Sequence, residues 1–331
     1  MPWKGIKDPY KIWLSEIILQ QTRVEQGLAY FNSFVNAYPS IHDLAQATDN
    51  EVFKRWEGLG YYSRCRNLIK TAREISFDKG GVFPSSKEGL LALKGIGNYT
   101  AAAIGSFAFG LPLAVVDGNV LRVLSRVFGI SDPVDLPAGR LRIEKIATDL
   151  LDSKDPASYN QAIMDLGATV CKPKQPLCST CPFVLKCQAH AHDQVHLLPI
   201  KAKKLKQRER FFYYLLIEHK DMHLVRQRKG NDIWQDLHEF ILREKDEPAE
   251  QRDLMSLDFW GLSALKGKVK HLSLSEEMVH QLTHQKIRCR VLHLKSAVQT
   301  EVEGYAWKRQ VEIAQLAFPR LITRYLAQEH G

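Results

Sequence analysis

Two acidic residues sit in surroundings that could give them a chemical role. Glu16 lies in Trp13-Leu14-Ser15-Glu16-Ile17-Ile18-Leu19-Gln20-Gln21-Thr22. A carboxyl among Trp, Leu and Ile on a helix is partly desolvated, which raises its pKa and suits it to deliver a proton. Taken by itself, the same residue reads first as an exposed acid on an amphipathic helix, which is common. Asp117 lies in Ala114-Val115-Val116-Asp117-Gly118-Asn119-Val120. Aspartate ahead of an apolar helix is an ordinary N-cap, and a capping carboxylate can also face a reacting centre. Two carboxylates in unlike environments can divide the labour of one reaction, one kept protonated and the other ionised.

Four of the six cysteines fall close together: Cys171, Cys178, Cys181 and Cys187, spaced C-x6-C-x2-C-x5-C. Four thiolates from one short loop suit a soft tetrahedral centre, and the residue types leave zinc and an iron–sulfur cube equally open. In a reducing compartment such a cluster reads as a metal site ahead of disulfides. Lys172, Lys174 and Lys186 in the same loop could face phosphate.

Leu93-Lys94-Gly95-Ile96-Gly97-Asn98-Tyr99-Thr100-Ala101 places a Gly-x-Gly turn between two helical patterns. Gly95 and Gly97 would let the backbone approach a phosphate, and the next helix would begin with N–H groups pointing at it. A tight helix–helix turn accounts for the glycines as well. Tyr99 carries a phenol, which cannot form an imine with a sugar. Gln20-Gln21 and Gly58-Leu59-Gly60-Tyr61-Tyr62-Ser63-Arg64 offer a flexible amide and a stackable ring of the kind that fills a gap in a base stack, although Leu59 and Tyr62 also read as core.

From Asp8 to Cys187 the apolar spacing is helical, as in Ile12, Ile17, Leu19 and in Leu68, Ile69, Ala72, Ile75. Pro39, Gly80 to Pro84 and Asp132-Pro133 punctuate it. The first domain is expected over 1–188 and all-α. A basic stretch follows, with Lys201, Lys203, Lys204, Lys206, Arg208 and Arg210; residues 189–210 read first as a solvated linker, a reading compatible with a strap across a DNA backbone. Beyond it the period changes. Phe211 to Ile217 and His223 to Arg228 predict a hairpin, and Lys286 to Leu294 a strand with Ile287, Cys289, Val291 and Leu292 inward. A helix is expected to close the chain, burying Val311, Ala314, Leu316, Leu321 and Leu326. Residues 211–331 therefore read as an α+β domain.

The 331 residues carry a net charge of +9 and a pI near 9.1. A basic surplus favours polyanionic partners, since each neutralised phosphate releases counterions. No apolar run is long enough to span a membrane and no secretory leader is visible, so a cytoplasmic protein without membrane contact is expected.

The cysteine spacing and the L-K-G-I-G-x-x-T-A string resemble the helix–hairpin–helix endonuclease III superfamily. The W-L-S-E-I-x-L-Q-Q-T, G-L-G-Y-Y-S-R and V-D-G-N strings resemble, within it, the MutY-type adenine DNA glycosylases over nearly the whole chain. That resemblance implies a structural [4Fe–4S] cluster on the four cysteines. It also implies a monomeric hydrolase acting on double-stranded DNA with adenine opposite 8-oxoguanine or guanine. Glu16 would protonate adenine N7, Asp117 would stabilise the sugar cation, and Asn119 and Tyr99 would orient them. Endonuclease III-type lyases carry a lysine where Tyr99 stands, so dedicated strand cleavage is not expected. Gln21 and Tyr61 would surround the opposite guanine. The second domain would be Nudix-like, without the glutamate-rich hydrolase signature. There Leu282-Thr283-His284 stands where the family shows Phe-Ser-His, which leaves Thr283 and His284 as the 8-oxoguanine readers. Lys4 replaces an arginine, with loss of a bidentate contact. Family members carry a further helix before the Pro2-Trp3 pair, so part of a six-helix barrel's support is expected to be missing.

Overall fold

The structure, a computed structural model, describes residues 1–202 and 207–329; Lys203, Lys204 and Lys206 of the basic stretch lie outside the described residues. In chain order the first half is helical: α1 (Pro9–Leu19), α2 (Val24–Ala37), α3 (Ile41–Gln46), α4 (Asp49–Trp56), α5 (Tyr62–Arg73), α6 (Lys87–Ala92), α7 (Asn98–Phe109), α8 (Gly118–Val127), α9 (Pro137–Leu150), α10 (Pro156–Thr169) and α11 (Gln188–Ala191). The second half contains β1 (Arg208–His219), β2 (Met222–Gln227), β3 (His238–Glu239), β4 (Ile241–Lys245), α12 (Gln251–Leu254), β5 (Val269–Leu274), β6 (Met278–Gln281), β7 (Gln285–Ser296), β8 (Ala306–Arg309), α13 (Gln310–Ile313) and α14 (Arg320–Glu329). No helix among the described residues is long and apolar enough to cross a membrane.

The chain forms two compact units. One holds Met1–Gln46 and the chain from Arg66 to the basic stretch; the other holds Ala47–Cys65 and the second half.

In the first unit α1 is the central helix. Asp8 caps it by accepting from Tyr10 N and Lys11 N, with Pro9 at the first position, where its missing N–H costs nothing. Every residue from Tyr10 to Ile18 except Lys11 is buried, the pattern of a helix covered on all sides. It packs on α2 and α7. On the α7 side small residues, Ala101, Ala102, Ala103 and Gly105, allow close approach. A second core joins α8 and α9 through Val116, Val120, Leu124, Ile130, Ile143 and Ala147, with Ile163 and Met164 of α10 packed against it.

The second unit is built on a mixed sheet ordered β3-β2-β1-β7-β5, with β4 beside β1, β6 beside β7 and β8 beside β2. β1 and β7 run parallel, Arg208 opposite Gln285 through Glu218 opposite Lys295; β1 is buried along most of its length and β7 mainly at alternating positions. β1 and β2 form the expected hairpin. The end of the chain departs from expectation. Pro319 cannot continue a helix and disfavours helical backbone at Phe318, so two short helices replace one. Val311 is 72% exposed and Ala314 is also exposed, while Ile313, Ala317, Phe318, Leu321, Ile322 and Tyr325 take the inner positions. Segment 47–65 joins this unit through polar bonds: Asn50 Nδ2 and Lys54 Nζ each donate at 3.0 Å to the carbonyls of Gln315 and Leu316, and Phe318 N donates at 2.8 Å to Glu57 Oε1.

Candidate active site

Glu16 falls in the middle of α1, 8% exposed among Trp13, Leu14, Ile17 and Ile18. The hydroxyl of Tyr99, in the first turn of α7, donates to its Oε2 at 2.6 Å. Burial pushes the Glu16 carboxyl from 4.5 up to about 7, the nearby Asp117 carboxylate pushes the same way, and the Tyr99 bond opposes both. A carboxyl poised near neutrality is half-loaded with a proton at working pH, the condition for a general acid. The exposed-acid alternative is excluded by its burial. Tyr99 itself is held far above its ordinary value by burial and by the Glu16 and Asp117 charges, so it stays a donor.

Asp117 caps α8 and is only half-buried. Its Oδ1 accepts from Asn119 N at 2.8 Å and Val120 N at 2.7 Å, and its Oδ2 accepts from Asn119 Nδ2 at 2.7 Å. Burial holds the carboxyl above its ordinary value, and these three bonds and the Arg122 charge offset that rise only in part. The donors and the positive end of the helix dipole favour the anion, and one lone pair of Oδ2 remains beyond the Asn119 bond. The two expected readings of Asp117 thus coexist in one side chain. The site pairs a buried, proton-holding carboxyl with a capped, partly solvated one.

Arg122 went unread in the sequence, and it ties this site to the cysteine loop. Its Nη2 donates to Asn119 Oδ1 at 2.9 Å and to Gly167 O at 2.7 Å, and its Nε donates to Cys171 O at 2.6 Å. One turn on, Arg126 Nη1 reaches Cys171 Sγ at 3.4 Å and Lys172 O at 2.8 Å. The available signal was a pair of arginines four apart on an otherwise apolar helix. Gly167 is where α10 crosses this end of α8: a Cβ there would stand 2.6 Å from Asn119 Cβ and 2.9 Å from its carbonyl oxygen.

Cys171, Cys178, Cys181 and Cys187 line one cavity together with Val123 and Arg126, about 410 Å³ including its open mouth. None of the four is in a disulfide. Among the described residues no group of three or more His, Cys, Asp or Glu side chains closes on a single point as one metal ion requires. A mononuclear zinc site would draw all four sulfurs to about 2.3 Å of one centre, whereas a cluster binds each sulfur to a different iron. Four sulfurs around a shared lumen are a donor set that suits either group.

The remaining candidates divide between the units. Gln20 ends α1 and donates to Thr100 Oγ1 at 3.3 Å. Gln21 is exposed with φ 56°, a left-handed backbone uncommon outside glycine. Gly95 has φ +78° and no room for a side chain, since a Cβ would lie 2.6 Å from Asn67 Cβ. Gly97 is the N-cap of α7 with ordinary extended backbone, no side-chain cap bond and open space where a Cβ would stand. In the second unit Leu59 is buried, the place of a core residue. Tyr61 is 45% exposed with φ 48°, and its ring lies 5.4 Å from the guanidinium of Arg64. Its hydroxyl shares a 2.7 Å hydrogen bond with Thr283 Oγ1. Thr283 and His284 are exposed in the turn between β6 and β7, which Leu282 N closes onto Gln285 O at 2.8 Å. Backbone strain of this kind outside glycine concentrates at functional positions. Lys4 retains a two-oxygen contact, to Asp165 at 2.6 and 2.8 Å. One expectation fails: Arg210 points inward against carboxylates and is no part of a phosphate-facing strap.

The family model described as HhH-GPD superfamily base excision DNA repair protein matches residues 14–141, and the model for the NUDIX domain matches residues 212–328. An adenine DNA glycosylase of Buchnera aphidicola subsp. Baizongia pistaciae (strain Bp) is 33% identical over 291 residues, covering 86% of this chain and 78% of that protein. The human adenine DNA glycosylase is 45% identical over 192 residues, 57% of this chain and 35% of that protein. Among solved structures, a thermostable thymine-DNA glycosylase superposes with a TM-score of 0.54 at 30% identity, over 58% of this chain and 88% of that one.

Proposed function

The chain belongs to the adenine DNA glycosylase family, as a base excision repair N-glycosylase with a helix–hairpin–helix domain and a Nudix-like domain, and from that premise we propose that it hydrolyses adenine mispaired with 8-oxoguanine or guanine in double-stranded DNA, without a lyase step. The observation that carries this reading is the buried Glu16 carboxyl, near pKa 7 and held by Tyr99, in the field of the capped Asp117.

The chemistry follows from those two groups. Adenine is extruded from the stack, because its glycosidic bond is unreachable within the duplex. Glu16 gives its proton to N7, so the C1′–N9 bond breaks with its electron pair leaving on a neutral base. The cation left on the sugar faces the Asp117 carboxylate, which Asn119 and two backbone N–H groups hold in place. A water then adds to C1′ and gives its proton to the Glu16 carboxylate, which restores the acid. Tyr99 orients Glu16 and offers no amine to trap the sugar.

By the same resemblance Gly95, Gly97 and the start of α7 take a backbone phosphate, Gln20 contacts DNA, and Gln21 and Tyr61 each face the opposite guanine; Leu59 is buried behind the turn that bears Tyr61. Thr283 and His284 read the oxidised base. Cys171, Cys178, Cys181 and Cys187 would hold a [4Fe–4S] cluster, which when bound supplies structural pinning of the loop that carries Lys174 and Lys186. We place the catalytic domain at 1–188, the recognition domain at 211–331 and a linker between, in a monomeric, cytoplasmic protein.

The test is direct. The pure protein is incubated with duplexes bearing adenine or cytosine opposite 8-oxoguanine, and abasic sites are cleaved with alkali. Breakage at adenine alone, and only after alkali, is expected. Breakage without alkali, or an adduct trapped by borohydride, would overturn the monofunctional reading; binding without breakage would overturn the enzyme.

A further inference from the structure

Arg210, on β1, is 6% exposed, and all five of its N–H donors are used. Nε and Nη2 reach the two oxygens of Glu244, each at 2.7 Å. Nη1 and Nη2 reach the two oxygens of Asp232 at 2.9 and 2.8 Å. The last hydrogen, on Nη1, goes to Gln285 Oε1 at 2.9 Å. The guanidinium also lies 4.8 Å from the Phe212 ring. Asp232 is held from a second side by Arg228, which pairs with the fully buried Glu239.

Gln285 is the first residue of β7 and follows Thr283-His284 directly. The main chain of that turn is already tethered to β1, with Arg208 N donating to His284 O at 3.0 Å and Gln207 Nε2 to Leu282 O at 3.3 Å. The bond from Arg210 adds a side-chain anchor from the interior. Buried ion pairs seldom repay their desolvation as stability, so a doubly bidentate one calls for another role. A guanidinium clamped by two carboxylates has no rotational freedom left, and whatever accepts its fifth hydrogen inherits that fixity.

We propose that Arg210 is a positioning residue for opposite-base recognition: through Gln285 it sets the direction in which Thr283 and His284 face an oxidised guanine. The inference rests on the reading of that turn as the 8-oxoguanine contact.

The test compares kcat/KM on duplexes with adenine opposite 8-oxoguanine and opposite guanine for the parent, Gln285→Met, Gln285→Glu and Thr283→Val. Met fills the half-buried site but accepts no hydrogen bond from Arg210; Glu does accept one. Gln285→Met is expected to lower the 8-oxoguanine-to-guanine ratio about tenfold, the equivalent of one charge-assisted hydrogen bond. The loss falls in duplex affinity, with the single-turnover rate on both duplexes unchanged, and Gln285→Glu restores most of it. If Thr283→Val lowers the ratio while Gln285→Met leaves it at the parental value, the role of Arg210 is overturned and the turn stands. If neither changes it, the reading of the turn itself falls. A loss in Gln285→Met that Gln285→Glu does not restore also overturns the proposal, because acceptor chemistry would then be irrelevant.

Discussion

Glu16→Gln keeps the shape of the side chain and an acceptor for the Tyr99 hydroxyl while removing the ionisable proton. The rise from 4.5 to about 7 means that ionised Glu16 costs the folded protein about 3 kcal/mol relative to the same carboxylate in the unfolded chain. The folded state holds its proton to higher pH than the unfolded state does. Stability is therefore complete below about 4.5, falls as pH rises towards about 7, and levels off above it. Glutamine has no such loss. The stability difference between Glu16→Gln and the parent is expected to be small near pH 4 and to grow to about 3 kcal/mol in favour of the variant by about pH 9. The same substitution slows adenine excision by roughly 10²- to 10⁴-fold, the usual worth of a general acid. Urea unfolding of the two proteins across that pH range, followed by tryptophan fluorescence, measures the first effect, and single-turnover excision measures the second. A stability difference that stays constant with pH would refute the buried-acid argument, and excision at the parental rate would refute the acid's role.

Three further outcomes follow from the same geometry. Tyr99→Phe deletes the bond that favours the Glu16 anion, so the alkaline limb of the excision rate should move to higher pH; a pH–rate profile with an unmoved limb would speak against the pairing. Gly167→Ala forces a Cβ against Asn119 and should displace the Asp117 cap, lowering kcat by about 10²-fold, as a roughly 1 Å misplacement does, while affinity for an abasic-site duplex changes little; equal losses in both would point to unfolding of the helix pair. Glu57→Ala removes the acceptor of Phe318 N–H and should cost about 1–3 kcal/mol of stability, which denaturant titration reads and Glu57→Gln largely restores.

Asp117 and the cysteines could be picked out in the sequence because each announces itself within a few neighbours, an aspartate before a helix start and four thiols in one loop. Glu16 read alone is an ordinary surface acid and stood out only through the family resemblance of the string around it. The hairpin of β1 and β2 and the alternating strand β7 were legible because alternation is local, while the place of β7 in the sheet was not. Arg122, Gly167 and Arg210 were not, because what matters about them is a meeting with residues far along the chain: Asn119 with Gly167, and Arg210 with Asp232, Glu244 and Gln285. A local reading gives Arg210 the same meaning as the lysines beside it, and only its carboxylate partners reverse it. The final helix was misjudged by spacing alone, because Pro319 restarts the helix on a new phase and turns Val311 and Ala314 outward.

The bonds from Asn50, Lys54 and Glu57 to residues 315–318 mean that the sequence does not divide where its structural allegiance does. A protein shortened at the basic stretch would keep Tyr61 but strip it of Thr283, and would leave Glu57 and Lys54 facing water in place of the main chain that holds them. A change of activity in such a shortened enzyme would then report two injuries at once, the missing Nudix-like domain and a 47–65 segment cut loose from its footing. Swapping recognition domains between relatives would call for the 47–65 segment to travel with the graft.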